Sequence, residues 1–241
     1  MVYTENKANN QKTVLISTGE LSGARHAAKL VSELKSLNPN WTFYGVGPKD
    51  LGEAGVELIG DISSYSTVGV IEPIKYLPAI YMNYRKIVKF LKQKKPDLFI
   101  PVDCQGFNML LLKQSHKLKI PTVYYIAPQE WQWGSKQGGE KVLKVTDHII
   151  AIFKQEADFY EALKGDVTFV GHPMIDLVNP TLTSNEFFAT YNLSSEKPLV
   201  SLFPGSRPQE INRVGPVLVN AAKLILDQRP DVQIALSVSS P

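Results

Sequence analysis

The stretch Thr13-Val14-Leu15-Ile16-Ser17-Thr18-Gly19-Glu20-Leu21-Ser22-Gly23 opens the readable pattern of the chain. Its first five residues form a nearly continuous apolar run with no polar alternation, the mark of a strand covered on both faces. A glycine-containing turn follows, and then a helical pattern over 22–36. Moving outward, the same unit recurs. Further short apolar runs lie at 42–46, 98–102, 122–126, 148–152 and 167–170, with helical patterns at about 75–94, 107–117 and 155–163 between them. Strands alternating with helices predict an α/β fold, a doubly wound, Rossmann-like parallel sheet.

After Val170 the pattern breaks at Gly171-His172-Pro173, and 176–198 reads as a linker with one short helical piece around 185–191. A strand at 199–203, a helix at about 209–228 and a strand at 232–238 complete the chain. One βαβ unit cannot cover both faces of a parallel sheet, so it reads as the incomplete start of a second Rossmann-like domain. The expected organisation is a polar N-terminal extension at 1–12, a first domain at 13–175, a linker at 176–198 and the start of a second domain at 199–241.

With 241 residues, 44% hydrophobic and 20% charged, disorder, collagen-like repeats and a small disulfide scaffold are excluded. Cys104 is the one cysteine; alone it forms no internal disulfide and no multi-cysteine zinc site, which suits a reducing compartment, the cytoplasm. Residues 1–12 lack the apolar core of a signal peptide, and no segment reaches the length of a membrane span. The expectation is a protein neither secreted nor membrane-spanning. Its net charge of +3 is uneven: residues 1–120 carry 16 basic and 10 acidic side chains, and residues 121–241 carry 10 and 13.

In an open parallel sheet, ligands bind beyond the carboxyl ends of the strands. Four connections there carry candidate residues. Thr18 to Gly23 is a turn in which Ser22 can cap the next helix; it has neither dinucleotide nor P-loop spacing and serves equally as an ordinary connection. Asp103 directly follows a strand and can act as a general base or cap a helix. Cys104 beside it has no basic neighbour in sequence and reads as an apolar residue rather than a nucleophile. The loop Ala127 to Ser135 holds Trp131 and Trp133, rings suited to a sugar or lipid chain or to packing on the domain's own helices. Phe203-Pro204-Gly205-Ser206-Arg207 offers backbone N–H groups, a hydroxyl and a guanidinium to a phosphate, or forms a plain Pro-Gly turn.

The segment 75–95 has seven basic residues and no acidic one. On a helix, Leu77, Ile80, Tyr84, Ile87, Val88 and Leu91 fall on one side, with Arg85, Lys86, Lys89 and Lys92 on the other. It is an amphipathic surface helix, and its basic face suits an anionic membrane surface or lipid substrate. No RNA- or DNA-binding motif is present. His26, His116, His148 and His172 are scattered in sequence without metal-ligand spacing, so no metal and no cofactor is expected. His148 reads as structural, and His172 alone stands in a suggestive place.

From about Lys12 onward the chain resembles the lipid-A-disaccharide synthases. The resemblance is carried, in order, by Gly19-Glu20-Leu21-Ser22-Gly23, Val68-Gly69-Val70-Ile71-Glu72, Lys95-Pro96-Asp97-Leu98, Val102-Asp103 with Phe107-Asn108, and Tyr125-Ile126-Ala127-Pro128 with Trp131 and Trp133. Phe169-Val170-Gly171-His172-Pro173-Met174 and Leu202-Phe203-Pro204-Gly205-Ser206-Arg207 follow. The resemblance implies a metal-free, inverting glycosyltransferase of B-type, two-Rossmann architecture, peripheral on the cytoplasmic face of the inner membrane. It would transfer 2,3-diacylglucosamine from its UDP donor to 2,3-diacylglucosamine 1-phosphate, with release of UDP. The acceptor would lie toward the first domain and the UDP-sugar toward the second, and the oligomeric state is left open, a homodimer included.

By the same resemblance Asp103 stands at the position of the family's essential aspartate and Arg207 at that of its essential arginine. Gly19, Glu20, Ser22, Gly23, Glu72, Asn108, Trp131, His172, Gly205 and Ser206 are the implied substrate contacts. Two positions depart from the family pattern: Ala24 and Gly106 stand where aspartates are usual, and the family continues past Pro241. Two other readings share these features. One is a non-catalytic relative that binds a lipid-linked sugar or a protein partner; the other is a different UDP-sugar transferase or epimerase of the same fold.

Overall fold

The computed structural model describes residues 11–63, 76–205 and 208–237. The chain forms two compact units, one up to Ile175 and one from Asp176. The first contains β1 (Thr13–Ser17), α1 (Leu21–Leu37), β2 (Thr42–Val46), α2 (Lys49–Glu53), β3 (Glu57–Gly60), α3 (Leu77–Lys94), β4 (Leu98–Pro101), α4 (Gln105–Lys117), β5 (Val123–Tyr125), α5 (Lys136–Leu143), β6 (His148–Ala151), α6 (Lys154–Ala162) and β7 (Val167–Phe169). The short helix α7 (Met174–Leu177) spans the boundary. The second unit holds α8 (Ser184–Thr190), β8 (Leu199–Leu202), α9 (Pro208–Gln228) and β9 (Gln233–Leu236).

Every described strand pair is parallel. β3, β2, β1 and β4 form one ladder and β5, β6 and β7 another. Isolated parallel bridges from Phe99 to Thr122 and from Val102 to Tyr125 join β4 to β5. The strand order is therefore 3-2-1-4-5-6-7. The chain winds outward from β1 and then reverses to β4 on its other side, which puts the topological switch between the carboxyl ends of β1 and β4.

The continuous apolar runs explain the double covering. Leu15, Phe99, Tyr124 and Ile149 enter one core with Ile87 and Leu91 of α3, Leu111 and Leu112 of α4 and Tyr160 of α6. Val14, Ile16, Ile100 and Tyr125 enter the other with Ala27 and Val31 of α1 and Leu51 of α2. Alternate residues of one strand thus fill opposite layers, as parallel sheets require.

Three elements had no clear sequence signal. β3 is a short edge strand whose first two residues are exposed, so its composition shows no buried run. α2 is a single helical turn or little more. α5 is capped by Ser135, whose hydroxyl accepts the N–H of Gly138 at 3.0 Å. It contains Gly138-Gly139, a poor helix former by propensity. A Cβ at Gly139 would sit 2.6 Å from Phe159 and 2.7 Å from Leu163, so close packing on α6 selects glycine there over propensity.

In the second unit β8 and β9 pair over four residues, flanked by α9 with Pro216 in its interior. The stretch 176–198 is tied into this unit rather than left hanging. Gln233 accepts the N–H of Ser194 at 2.7 Å and donates to the Ser194 carbonyl at 2.8 Å. Thr183 and Glu186 cap α8 reciprocally. Among the described residues no helix is long and apolar enough to cross a membrane.

Candidate active site

At the end of β4 the backbone turns through two consecutive left-handed residues, Asp103 (φ 51°) and Cys104 (φ 49°). Such geometry is costly outside glycine and persists only where the surroundings hold it. Here they do so from three sides. The Asp103 N–H donates to the Tyr125 carbonyl at 3.2 Å. Its carbonyl accepts from Asn108 Nδ2 at 2.7 Å and from the Tyr124 hydroxyl at 2.9 Å. Asn108 is fully buried and also donates to the carbonyls of Ser17 and Val102, both at 3.3 Å. Its amide therefore reaches the site by fixing Asp103 and linking β1 to β4. Asp103 itself is half-buried.

The turn after β1 packs against this corner. A Cβ at Gly19 would overlap Cys104 Sγ, and one at Gly23 would overlap Thr18 Oγ1 and come within 3.7 Å of Asp103 Cβ. Gly19 needs glycine because the two connections touch, and Gly23 because its own turn folds back on Thr18, with Asp103 at ordinary contact distance. α1 starts at Leu21 with Glu20 at the capping position in extended conformation, so Ser22 lies in the first turn and does not cap the helix as its position suggested. Cys104 is half-buried, and burial pushes its thiol up to about 11. It is a thiol at neutral pH, consistent with the apolar reading.

A third wall comes from the connections after β5 and β6. Ile126 is left-handed (φ 58°), unusual for a β-branched residue. The following turn is held by Glu156, 1% exposed. Its carboxylate accepts the N–H groups of Ala127 at 3.0 Å and Ile152 at 2.9 Å, with Phe153 N–H at 3.5 Å. Burial pushes the Glu156 carboxyl up, and these hydrogen bonds oppose that shift. The Tyr160 hydroxyl donates to the Pro128 carbonyl at 2.8 Å. Glu130 accepts from Gln105 Nε2 at 2.7 Å and from the Ser135 N–H at 3.1 Å.

This frame sets the rings. Trp131 tilts onto Phe153 with centroids 5.7 Å apart, and Phe153 onto His172 at 5.1 Å; Trp133 is 81% exposed. His172 also meets His26 edge-on at 6.3 Å. Gly19, Gly23, Asp103 and Asn108 thus meet at the switch point, with Glu20 and Ser22 at the start of the adjoining helix, while Trp131 and His172 belong to the aromatic wall. Phe153, Glu156 and His26 are the residues that sequence reading missed. Glu156, three residues into a helix, has a faint capping signal, whereas nothing local marks His26. His148 bridges β6 and β7, with Nδ1 3.2 Å from Asp166 and Nε2 3.1 Å from Thr168 Oγ1. Among the described residues no group of three or more His, Cys, Asp or Glu is placed to hold a metal.

Gly205, in the second unit, has φ 107°, a conformation for which glycine is the natural residue. Glu72, Ser206 and Arg207 lie outside the described residues.

The profile of the Lipid-A-disaccharide synthetase family matches residues 14–241. The chain belongs to that family. It is 37% identical over 229 residues to the lipid-A-disaccharide synthase of Geobacter metallireducens, covering 95% of this chain and 59% of the relative. To that of Coxiella burnetii it is 38% identical over 231 residues, covering 95% and 61%. The chain therefore spans about three-fifths of the length of these relatives. Among solved structures, the S. aureus MnaA–UDP co-structure superposes with a TM-score of 0.65 at 14% identity, over 95% of this chain and 62% of that one. UDP-GlcNAc 2-epimerase from Neisseria meningitidis, bound to UDP-GlcNAc, gives 0.61 at 13% identity, over 94% and 66%. At such identities the likeness shows the fold, which for this family member is the α/β, parallel-sheet architecture expected from the sequence.

Proposed function

We propose that this chain is the acceptor-binding part of a glycosyltransferase of lipid A biosynthesis. The enzyme transfers 2,3-diacylglucosamine from UDP to the hydroxyl of 2,3-diacylglucosamine 1-phosphate and releases UDP. Family membership supports the reaction class, and the carrying observation is Asp103. A half-buried carboxylate at the β1/β4 switch point, on a backbone pinned by Tyr124, Tyr125 and Asn108, supports a general base that takes the proton from an attacking hydroxyl. In this reading the first unit receives the acceptor, the second begins the nucleotide-sugar domain, and Gly205, Ser206 and Arg207 meet the diphosphate, whose departing charge the guanidinium neutralises.

The acylated substrates place the enzyme at a membrane surface, and α3 supports contact with the cytoplasmic face of the inner membrane. Leu77, Tyr81 and Met82 are 55%, 58% and 71% exposed. Arg85, Lys86, Lys89 and Lys92 line an open cleft of about 530 Å³ with Tyr84 and Val88. Along the apolar side of α3, Leu77 is exposed, Ile80 and Tyr84 pack partly against the core, and Ile87 and Leu91 are buried. The reading leaves the oligomeric state open, a homodimer included, and light scattering measures it.

The test is a transfer assay on the full-length gene product with UDP-2,3-diacylglucosamine and the monosaccharide 1-phosphate. Asp103→Asn keeps the side-chain shape and removes most of the proton-accepting power, so the rate should fall by roughly 10²- to 10⁴-fold with little change in stability. An Asn variant of ordinary activity removes Asp103 from this role.

A further inference from the structure

The row of rings on the connections after β5, β6 and β7 changes character along its length. It begins with the indole of Trp131, continues through Phe153, and ends on two imidazoles contributed by elements far apart in the chain. Nδ1 of His172 accepts the N–H of Met174 at 3.2 Å, so the neutral ring carries its proton on Nε2, a donor. Nδ1 of His26 is buried and has no hydrogen-bond partner among the described residues, an arrangement that costs free energy until something pairs with it.

Position along α1 relates this pair to the base. Gly23 faces the Asp103 side chain, and His26, three residues on, lies on the same face of the helix. Three residues of helix carry the His26 backbone about 4.5 Å beyond Gly23, so His26 stands nearly one turn further along α1 than the Asp103 corner, with His172 against it. A ligand that fits both places carries a reactive hydroxyl on one side of a single sugar ring and an anionic group on the other.

We propose that His26 and His172 form the pocket for the phosphate monoester of the acceptor sugar, with Trp131 and Phe153 against its apolar faces. The proposal rests on the acceptor reading above and adds which end of the acceptor goes where. Burial, and then the nearby His172, hold the His26 imidazole below its ordinary range. A phosphate between the rings opposes both effects, because its negative charge favours the protonated form. Charge-assisted hydrogen bonds of this kind are the strong ones.

Equilibrium binding to the full-length gene product in mixed micelles decides the matter by comparing 2,3-diacylglucosamine 1-phosphate with 2,3-diacylglucosamine. The phosphorylated compound should bind more tightly. His26→Phe and His172→Phe keep a ring in the row and remove the donors, so each should shrink that preference by roughly tenfold and leave the unphosphorylated compound little changed. Trp131→Leu should weaken both compounds alike. Circular dichroism checks folding, and if a Phe variant is unfolded, the Gln variant at the same position, which retains a donor, should keep part of the preference. An unchanged preference in the substituted proteins, or an equal loss on both compounds, overturns the phosphate pocket while leaving the acceptor reading intact. A wild-type protein that binds neither compound overturns both.

Discussion

Glu156 concentrates the logic of this site in one side chain. It has no route to solvent, yet three backbone N–H groups from two different connections point at it. Removing it strands those donors, and a stranded buried donor costs more than a made hydrogen bond contributes. Glu156→Ala should therefore destabilise the first unit by about 2–4 kcal/mol in urea unfolding. Glu156→Gln keeps one acceptor oxygen but turns an NH2 toward an N–H, so it should recover only part of that loss. Cys104 gives a second measurement at this scale. With its thiol pushed up to about 11, little thiolate exists at pH 8, and the thiol is half-shielded against Gly19. Reaction with a disulfide reagent should be slow in the native protein, accelerate as pH approaches 11, and become fast at pH 8 after unfolding. Fast native reaction at pH 8 would contradict the packing described here.

Among the elements, α3 presents two unlike faces on one helix. Ile87 and Leu91 are buried against the sheet, while Arg85, Lys86, Lys89 and Lys92 remain exposed and no acidic residue interrupts them. Reversing the charge of Arg85, Lys86 and Lys89 to Glu should leave thermal stability nearly unchanged, since no buried contact is touched. Each basic side chain near an anionic surface contributes about 1 kcal/mol, so co-sedimentation with phosphatidylglycerol vesicles should weaken by well over tenfold. Neutral vesicles should show little difference, and added salt should erase the contrast. Equal binding of the reversed variant at low salt would remove α3 from membrane contact.

At the scale of the whole molecule the two units differ in how much they bury. The first has seven described parallel strands between two helical layers, and its core residues are essentially inaccessible. The second has two described strands and one long helix on which Val217 and Leu224 are more than 60% exposed. Two strands on one helix leave few contacts to resist opening. Amide exchange on residues 1–241 should show protected strands through β7 and fast exchange in β8 and β9, with association through the exposed apolar surface. Slow exchange of β9 in a monomer would show the second unit to be stable by itself.

The alternation of strand and helix, the double covering of the sheet, and the place of Asp103 just after a strand were all legible along the chain. They depend on periodicity and on turn residues, which are local: a continuous apolar run records that both faces are buried whatever lies there. Local periodicity could not show what each buried face meets. β4 pairs with β1 only because the chain reverses, and that reversal brings Gly19 and Gly23 onto Cys104 and Asp103. Glu156 reads as an ordinary first-turn glutamate until α6 carries it under the end of β5. His26 and His172 look scattered because nearly the whole sheet separates them in sequence; one lies on the helix after the interior strand β1 and the other just after the edge strand β7, and only the folded chain brings their rings together. Neighbours across a parallel sheet are set by long crossovers, so the tertiary structure alone decided which residues share the site.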